Sequence, residues 1–370
     1  MEIRPMQGST ILHVIDTTGP GGAETIFTQL CAESNQRGYH ALALIRGEGW
    51  VSRELERLGV ETLIVNCKGS FNVRFLATLI RIILTRKVKL IQSHLLGSNV
   101  YASLAGLLTA RPVYSTFHGF VDIGEHERFR ALKFFAIRYG SRAVFAVTES
   151  LASMLVKSTS INEKQVVVIP NGVDTEYFFS RNMYEIASAG PVKIGCLGNV
   201  RTAKNYPIAI LMMKHLKEQG LNAELHIAGD DTNALAESCR AQALELGVSD
   251  SIVWRGFVAN TPAYLNELDI FLLCSSSEGH PLALTQAMSC GLPIVTTACG
   301  VENIVAQGET AVIVENQSVT AIVDGVQQLA SDVVLRSTLG QTAAKVARDK
   351  WSLAFTLNNY FKNYGISNDE

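Results

Sequence analysis

Residues 11–25 read ILHVIDTTGPGGAET: an apolar run ending at Asp16, a loop carrying Gly19, Gly21 and Gly22, and a segment of helical periodicity from near Ala23. A strand, a glycine-rich turn and a helix in that order open a parallel α/β unit. Glycines there let the backbone approach a ligand closely, and the N–H groups of the helix start favour an anion. A tight turn without a ligand is the other reading of the same loop. A dinucleotide fingerprint would end in a third glycine at position 24. Glu24 stands there instead and brings negative charge to where a pyrophosphate would lie, which turns the reading away from a nicotinamide-dependent oxidoreductase.

The same strand-and-helix alternation continues along the chain. Apolar runs at ILHVID, HALALI, ETLIVN, KLIQSH, PVYSTFH, AVFAVT and VVVIP are separated by amphipathic segments beginning near Ala23, Val51, Phe71, Ser98, Glu125 and Glu149. A stretch rich in turn residues runs from Pro170 through Pro191, and the alternation then restarts with VKIGCLG, AELHIAG, SIVWRG, DIFLLC, PIVTT and TAVIVE. The fold class this predicts is α/β, with two Rossmann-like, doubly wound parallel-sheet domains facing across a cleft. In such sheets ligands bind beyond the carboxyl ends of the strands. The expected domains are residues 1–182, residues 183–350, and a final segment 351–370 that returns to the first domain.

Composition agrees with two folded domains. The chain has 370 residues, more than one hydrophobic core comfortably serves, and is 47% hydrophobic and 18% charged. A formal net charge of −2 provides no general attraction to nucleic acid. Seven cysteines, none in a C-x-x-C pair, point to a reducing compartment and away from zinc. The apolar run near the N-terminus is too short for a signal peptide, and no run approaches the roughly 20 apolar residues of a membrane span. The expected location is the cytoplasm. The charge is uneven, however: +5 through Arg181 and −7 after it. The segments FNVRFLATLIRIILTRK and RFRALKFFAIRYGSR place much of the positive charge on helices with apolar faces. They are either ordinary surface helices or a peripheral contact with an anionic membrane.

Two loops of the second half carry chemistry. After VKIGCLGNV comes RTAKNYP, where Arg201 and Lys204 stand just before a helix and can bracket a diphosphate; a solvated cation pair is the alternative. After DIFLLC comes SSSEGHPLALTQAM. There Glu278 and Gly279 precede His280, Pro281 sits where a helix starts, and Gln286 follows on that helix. In the first half, His94 and His118 each end a strand; for a strand-end histidine such as His94, a purely structural role is the alternative. Nothing offers a Ser-His-Asp or Cys-His set or metal-ligand spacing, so no metal or other cofactor is expected.

Together these residues resemble the retaining GT-B glycosyltransferases of family 4. The resemblance rests on an ordered set: GGAE at 21–24, STFHG at 115–119, IPNGVD at 169–174, Arg201 with Lys204, HIAGD at 226–230, Glu278, and GLPIVTT at 291–297. The family pairs two glutamates with seven residues between them; here Glu278 keeps the first place and Gln286 occupies the second.

The resemblance implies transfer of a hexosyl unit from a nucleotide-diphosphate sugar, with UDP the commonest carrier, to a saccharide or lipid-linked saccharide in envelope or exopolysaccharide synthesis. It implies His118, Glu278, Arg201 and Lys204 as catalytic residues. It implies donor binding by Gly21, Gly22, Arg201, Lys204, Gly229, Phe257, Val258, Glu278, His280, Pro281, Leu282 and Gln286, with Phe257 and Val258 beside the base. Glu24, His94 and His118 fall to the acceptor. An amide at Gln286 grips the ribose without charge assistance. A nucleotide-sugar epimerase and an inactive scaffold that kept the fold are the rival functions.

Overall fold

The computed structural model describes residues 7–66, 72–124, 127–180 and 190–366. Cys67, the expected domain boundary at 182/183 and the predicted helix starts at Phe71 and Glu125 lie outside the described residues. The chain divides into two units, residues 1–171 with 355–370, and residues 172–354.

Among the described residues the first unit holds seven parallel strands: β1 (Thr10–Ile15), β2 (His40–Ile45), β3 (Glu61–Ile64), β4 (Val88–His94), β5 (Val113–Phe117), β6 (Ala143–Ala146) and β7 (Val166–Val168). Their order is β3-β2-β1-β4-β5-β6-β7. The helices between them are α1 (Gly22–Gln36), α2 (Trp50–Arg57), α3 (Val73–Thr85), α4 (Leu96–Thr109), α5 (Arg130–Gly140) and α6 (Glu149–Ser158). Strands buried on both faces read as unbroken apolar runs, because alternate side chains enter different cores. Leu12 and Val14 of β1 pack with Phe75, Leu79 and Ile83 of α3, whereas Ile15 packs with Phe27 of α1 and Leu55 of α2. Helix α5 begins at Arg130. A 3₁₀ turn, Phe120–Ile123, precedes it and lets Asp122 fold back onto the His118 N–H.

Among the described residues the second unit holds six parallel strands: β8 (Val192–Leu197), β9 (Ala223–Ala228), β10 (Ile252–Gly256), β11 (Ile270–Leu273), β12 (Ile294–Thr297) and β13 (Val312–Val314), in the order β10-β9-β8-β11-β12-β13. Its helices are α7 (Tyr206–Glu218), α8 (Ala234–Glu245), α9 (Thr261–Leu265), α10 (Leu282–Ser289), α11 (Val319–Ser331) and α12 (Val333–Lys350). Ile270 and Leu272 face the core shared with α7, α8 and α11, while Phe271 and Leu273 face the one shared with α9, α10 and α12. Helix starts are set locally. Asn233, Asn260, Ser318 and Asp332 each accept a backbone N–H three residues on, and Pro207 and Pro262 occupy first-turn positions where no N–H is needed.

A last helix, α13 (Leu353–Asn363), belongs from Phe355 onward to the first unit, where Tyr360 and Phe361 are fully buried. Both strand orders reverse direction once, between β1 and β4 in the first unit and between β8 and β11 in the second. Loops leaving adjacent strands diverge there, and the opening between them is where an open α/β sheet takes its ligand. Among the described residues, no helix is long and apolar enough to cross a membrane.

Candidate active site

In the second unit the loops after β8 and β11 are tied together at this switch point. Ser276 N–H donates to the Ala203 carbonyl at 2.8 Å, and the Cys274 thiol donates to the Lys204 carbonyl at 3.3 Å. Glu278 N–H donates to the Cys299 carbonyl at 2.7 Å, which fixes the carboxylate's base. On this frame the Lys204 ammonium donates to Glu278 Oε1 at 2.7 Å, and the Ser275 hydroxyl donates to the same oxygen at 2.6 Å. The Lys204 and Glu278 side chains are only 20% and 14% exposed. A buried pair of this kind is costly to break, and it holds one ammonium and one carboxylate at defined points. Lys204 keeps further N–H donors, and Glu278 keeps Oε2 as an acceptor, for a ligand bearing both phosphate and hydroxyl groups.

The two cations expected to act together have different surroundings. Arg201 is exposed at the start of the 3₁₀ turn Thr202–Lys204. Its charge reaches Asp230, which bonds with Thr232 hold below the usual carboxylate range, with Arg201 adding to the effect. Gly229, one residue before, has φ +145 and donates its N–H to the Gly256 carbonyl at 2.8 Å; a Cβ there would collide with the Gly198 carbonyl. Phe257, next in the chain, is 56% exposed and Val258 half-buried.

His280 is buried, with its ring 5.1 Å from that of Trp351, and burial pushes its pKa down to about 4, so it is neutral. Pro281 and Leu282 are buried at the start of α10. Leu284 N–H donates to the Pro281 carbonyl at 3.0 Å and serves the helix's own first turn. Ala283 and Gln286, three residues apart, are the positions of α10 left partly exposed, so Gln286 points away from the core.

In the first unit the switch point carries Asp16 after β1 and His94 at the end of β4. His94 Nδ1 lies 2.8 Å from His118 Nε2, so the two histidines singled out from the sequence are bonded to one another. Burial lowers both pKa values, that of His118 to about 3, which makes both rings neutral. His118 N–H donates to Asp122 Oδ2 at 2.9 Å. Burial pushes the Asp122 carboxyl up to about 6, against the backbone N–H bonds it accepts, and the charges of Asp16 and Glu24 add to the rise. Burial likewise raises Asp16. Glu24 folds its carboxylate over Gly21 at the start of α1, where a Cβ would collide with it, and Gly22 is the first helical residue. These glycines belong to the first unit, whereas the other residues assigned to the donor lie in the second.

Residues the motifs did not single out are Ser275, Asp122, Gln92 and Tyr364. Ser275 stands three positions before Glu278, and Asp122 four after His118. Gln92 is a polar residue inside the apolar run KLIQSH, a signal that a buried bond is being made. Six described cysteines are free and buried.

Two known families match most of the chain: Glycosyltransferase Family 4 over residues 20–177 and Glycosyl transferases group 1 over residues 191–332. The chain is 24% identical over 275 residues to a capsular polysaccharide biosynthesis glycosyltransferase of Staphylococcus aureus, covering 69% of this chain and 70% of that protein. It is 23% identical over 299 residues to an Escherichia coli UDP-Gal:alpha-D-GlcNAc-diphosphoundecaprenol alpha-1,3-galactosyltransferase, covering 75% of each. In fold it is similar to a glycosyltransferase from Rickettsia africae, with TM-score 0.84 at 18% identity over 97% of this chain and 98% of that one. It is also similar to Anabaena HepE in complex with UDP-glucose, with TM-score 0.85 at 17% identity over 96% and 99%.

Proposed function

The chain belongs to glycosyltransferase family 4 and is a GT-B glycosyltransferase; from that premise we propose that it moves a hexosyl unit, with retention, from a UDP-sugar to a saccharide or lipid-linked saccharide in polysaccharide synthesis. The observation that carries this reading is the Lys204–Glu278 pair at the β8/β11 switch point. It sets a phosphate-binding cation beside a hydroxyl-binding carboxylate, the two groups a nucleotide-diphosphate sugar requires. The names of similar proteins that carry UDP or a UDP-sugar support that choice of carrier.

In this reading the second unit holds the donor. Glu278 Oε2 accepts from sugar hydroxyls, Lys204 and Arg201 donate to the diphosphate, and the Gln286 amide bonds the ribose. Phe257 and Val258 lie by the base, next to the chain reversal at Gly229 and Gly256. The acceptor saccharide is bound by the first unit through Glu24, His94 and His118. The acceptor hydroxyl bonds to the anomeric carbon as the bond from that carbon to the phosphate oxygen breaks. The hydroxyl proton passes to the departing phosphate oxygen on the same face, so configuration is kept. The charge left on the diphosphate is met by Lys204 and Arg201, with no metal ion or other cofactor required.

The lipid-linked class of acceptor has support in α5 and the two residues before it. Phe129, Leu132, Phe135 and Tyr139 are each just over half exposed, and the Arg128 and Arg138 guanidiniums lie 5.7 and 5.4 Å from the Phe129 and Tyr139 rings. Aromatic rings interleaved with cations suit peripheral attachment to the inner face of an anionic cytoplasmic membrane. Flotation with anionic liposomes checks this, and protein that stays in the soluble fraction at low salt removes it.

The donor is tested by thermal melting with UDP, GDP and ADP. UDP is expected to raise the midpoint and the other two are not, because a ligand bound only by the folded state stabilises it. The absence of a shift with every nucleotide would overturn donor binding.

A further inference from the structure

Behind His118 runs a buried chain of hydrogen bonds whose chemistry dictates where its protons sit. In β4 and β5, Gln92 pairs with Tyr114 and His94 with Thr116. The Gln92 side chain is fully buried. Its amide nitrogen lies 3.0 Å from the Ser93 carbonyl, 2.9 Å from Thr116 Oγ1 and 3.3 Å from His94 Nε2. Its amide oxygen accepts from the Tyr364 hydroxyl at 2.8 Å. A backbone carbonyl only accepts, so the Ser93 contact fixes which end of the amide is NH₂.

An amide nitrogen offers only donors. The His94 Nε2 that faces it therefore carries no proton, since two N–H groups cannot point at one another. A neutral His94 must then hold its proton on Nδ1, where the partner within reach is His118 Nε2 at 2.8 Å. His118 Nε2 thus accepts, and the ring's own proton sits on Nδ1. That atom is buried and makes no hydrogen bond to any described residue. A buried N–H with no partner is costly, and a substrate oxygen would relieve the cost.

We propose that Gln92, acting through His94, is a positioning residue that holds His118 in its Nδ1–H form, so that His118 meets the substrate as a hydrogen-bond donor to an oxygen rather than as a base. The inference rests on the reading of His118 as a substrate contact and deepens it. The relay begins at Tyr364 near the C-terminus, which explains why a tyrosine hydroxyl there is buried against a glutamine far away in the chain. Both rings stay neutral near pH 7, as burial and the juxtaposition of the two imidazoles require.

The test is a two-dimensional ¹H–¹⁵N spectrum of the imidazole rings in the full chain labelled with ring-¹⁵N histidine. His94 and His118 are assigned from the signals lost in His94→Asn and His118→Asn. Both rings are expected to show a pyrrole-type Nδ1 and a pyridine-type Nε2. A pyridine-type Nδ1 on His118 overturns the proposal, and this result needs neither substrate nor activity, so it stands apart from the test of donor binding. Gln92→Leu removes the NH₂ that pins the relay. In the folded variant the Nε2-protonated form of His94 is expected to appear and kcat to fall by roughly tenfold, the value of one substrate hydrogen bond, with little change in KM. A folded Gln92→Leu protein with the wild-type ring spectrum also overturns the proposal. If that variant does not fold, the spectrum of the unaltered protein decides alone.

Discussion

Lys204 and Glu278 are 74 residues apart in sequence and 2.7 Å apart in space, joined from the loops after two adjacent strands of one sheet. Neither is fully exposed, and the Ser275 hydroxyl shares the carboxylate oxygen that Lys204 contacts. The lysine therefore holds Glu278 in place and, in the proposed reaction, meets the charge of the leaving diphosphate. Lys204→Ala is expected to lower kcat by ~10²-fold or more while the circular dichroism spectrum stays that of the wild type. Near-normal turnover would remove Lys204 from the chemistry. Because the two residues act as one unit, Lys204→Ala combined with Glu278→Gln should cost far less than the product of the single losses.

The two-sheet architecture was legible in the sequence because parallel strands packed between helices leave short apolar runs, and the thirteen runs read from the sequence correspond to the thirteen strands of the described residues. The loops bearing Arg201, Lys204 and Glu278 were legible as strand-to-helix turns. What the sequence did not show is pairing. Nothing in RTAKNYP says that Lys204 turns to Glu278 while Arg201 stays exposed by Asp230, since that depends on which strands become neighbours. Asp122 was not legible as a partner of His118, because the 3₁₀ turn Phe120–Ile123 that brings it back leaves no mark in the apolar periodicity. Gln92 and Tyr364 were invisible as partners because their bond joins β4 to the far end of the chain.

Gln286 allows a gain-of-function test. It lies on the partly exposed face of α10, so a carboxylate there does not have to be desolvated. Gln286→Glu supplies charge-assisted hydrogen bonds to ribose hydroxyls and is expected to lower the KM for the nucleotide-sugar roughly fivefold with kcat nearly unchanged. A KM that does not move would place the ribose elsewhere.

Gly229 joins stability to the site. Its φ of +145 is costly for any residue with a Cβ, and that Cβ would collide with the backbone of Gly198 and Asn199, which leads into the Arg201 loop. Gly229→Ala is expected to destabilise the second unit by roughly 2–5 kcal/mol and to lower its melting midpoint by about 5–15 °C. Gly190→Ala, where a Cβ meets no atom of the described residues within 4 Å, is the control and should melt as the wild type does. Equal midpoints for the two variants would mean that the loop yields freely and does not hold Arg201 in place.

The buried histidines set how the protein responds to acid. His13 and His118 have pKa values lowered to about 3 and His280 to about 4, all by burial, against an ordinary 6.5. The unfolded chain takes up these protons first, so stability falls as pH drops below 6.5 and continues to fall toward the folded-state values. At pH 5 each such histidine costs roughly 2 kcal/mol relative to pH 7. Asp122 works in the opposite sense. Its carboxyl is raised to about 6, so the folded state binds this proton before the unfolded one and recovers about 1 kcal/mol between pH 6 and 5. The histidines outweigh it, and the melting midpoint should fall steadily from pH 7 to pH 5. Asp122→Asn removes the opposing carboxyl while its amide oxygen can still accept the His118 N–H. The variant should be more stable than the wild type at pH 7, and its midpoint should fall more steeply with acid. Parallel melting curves for the two proteins across this range would show that burial does not raise the Asp122 carboxyl.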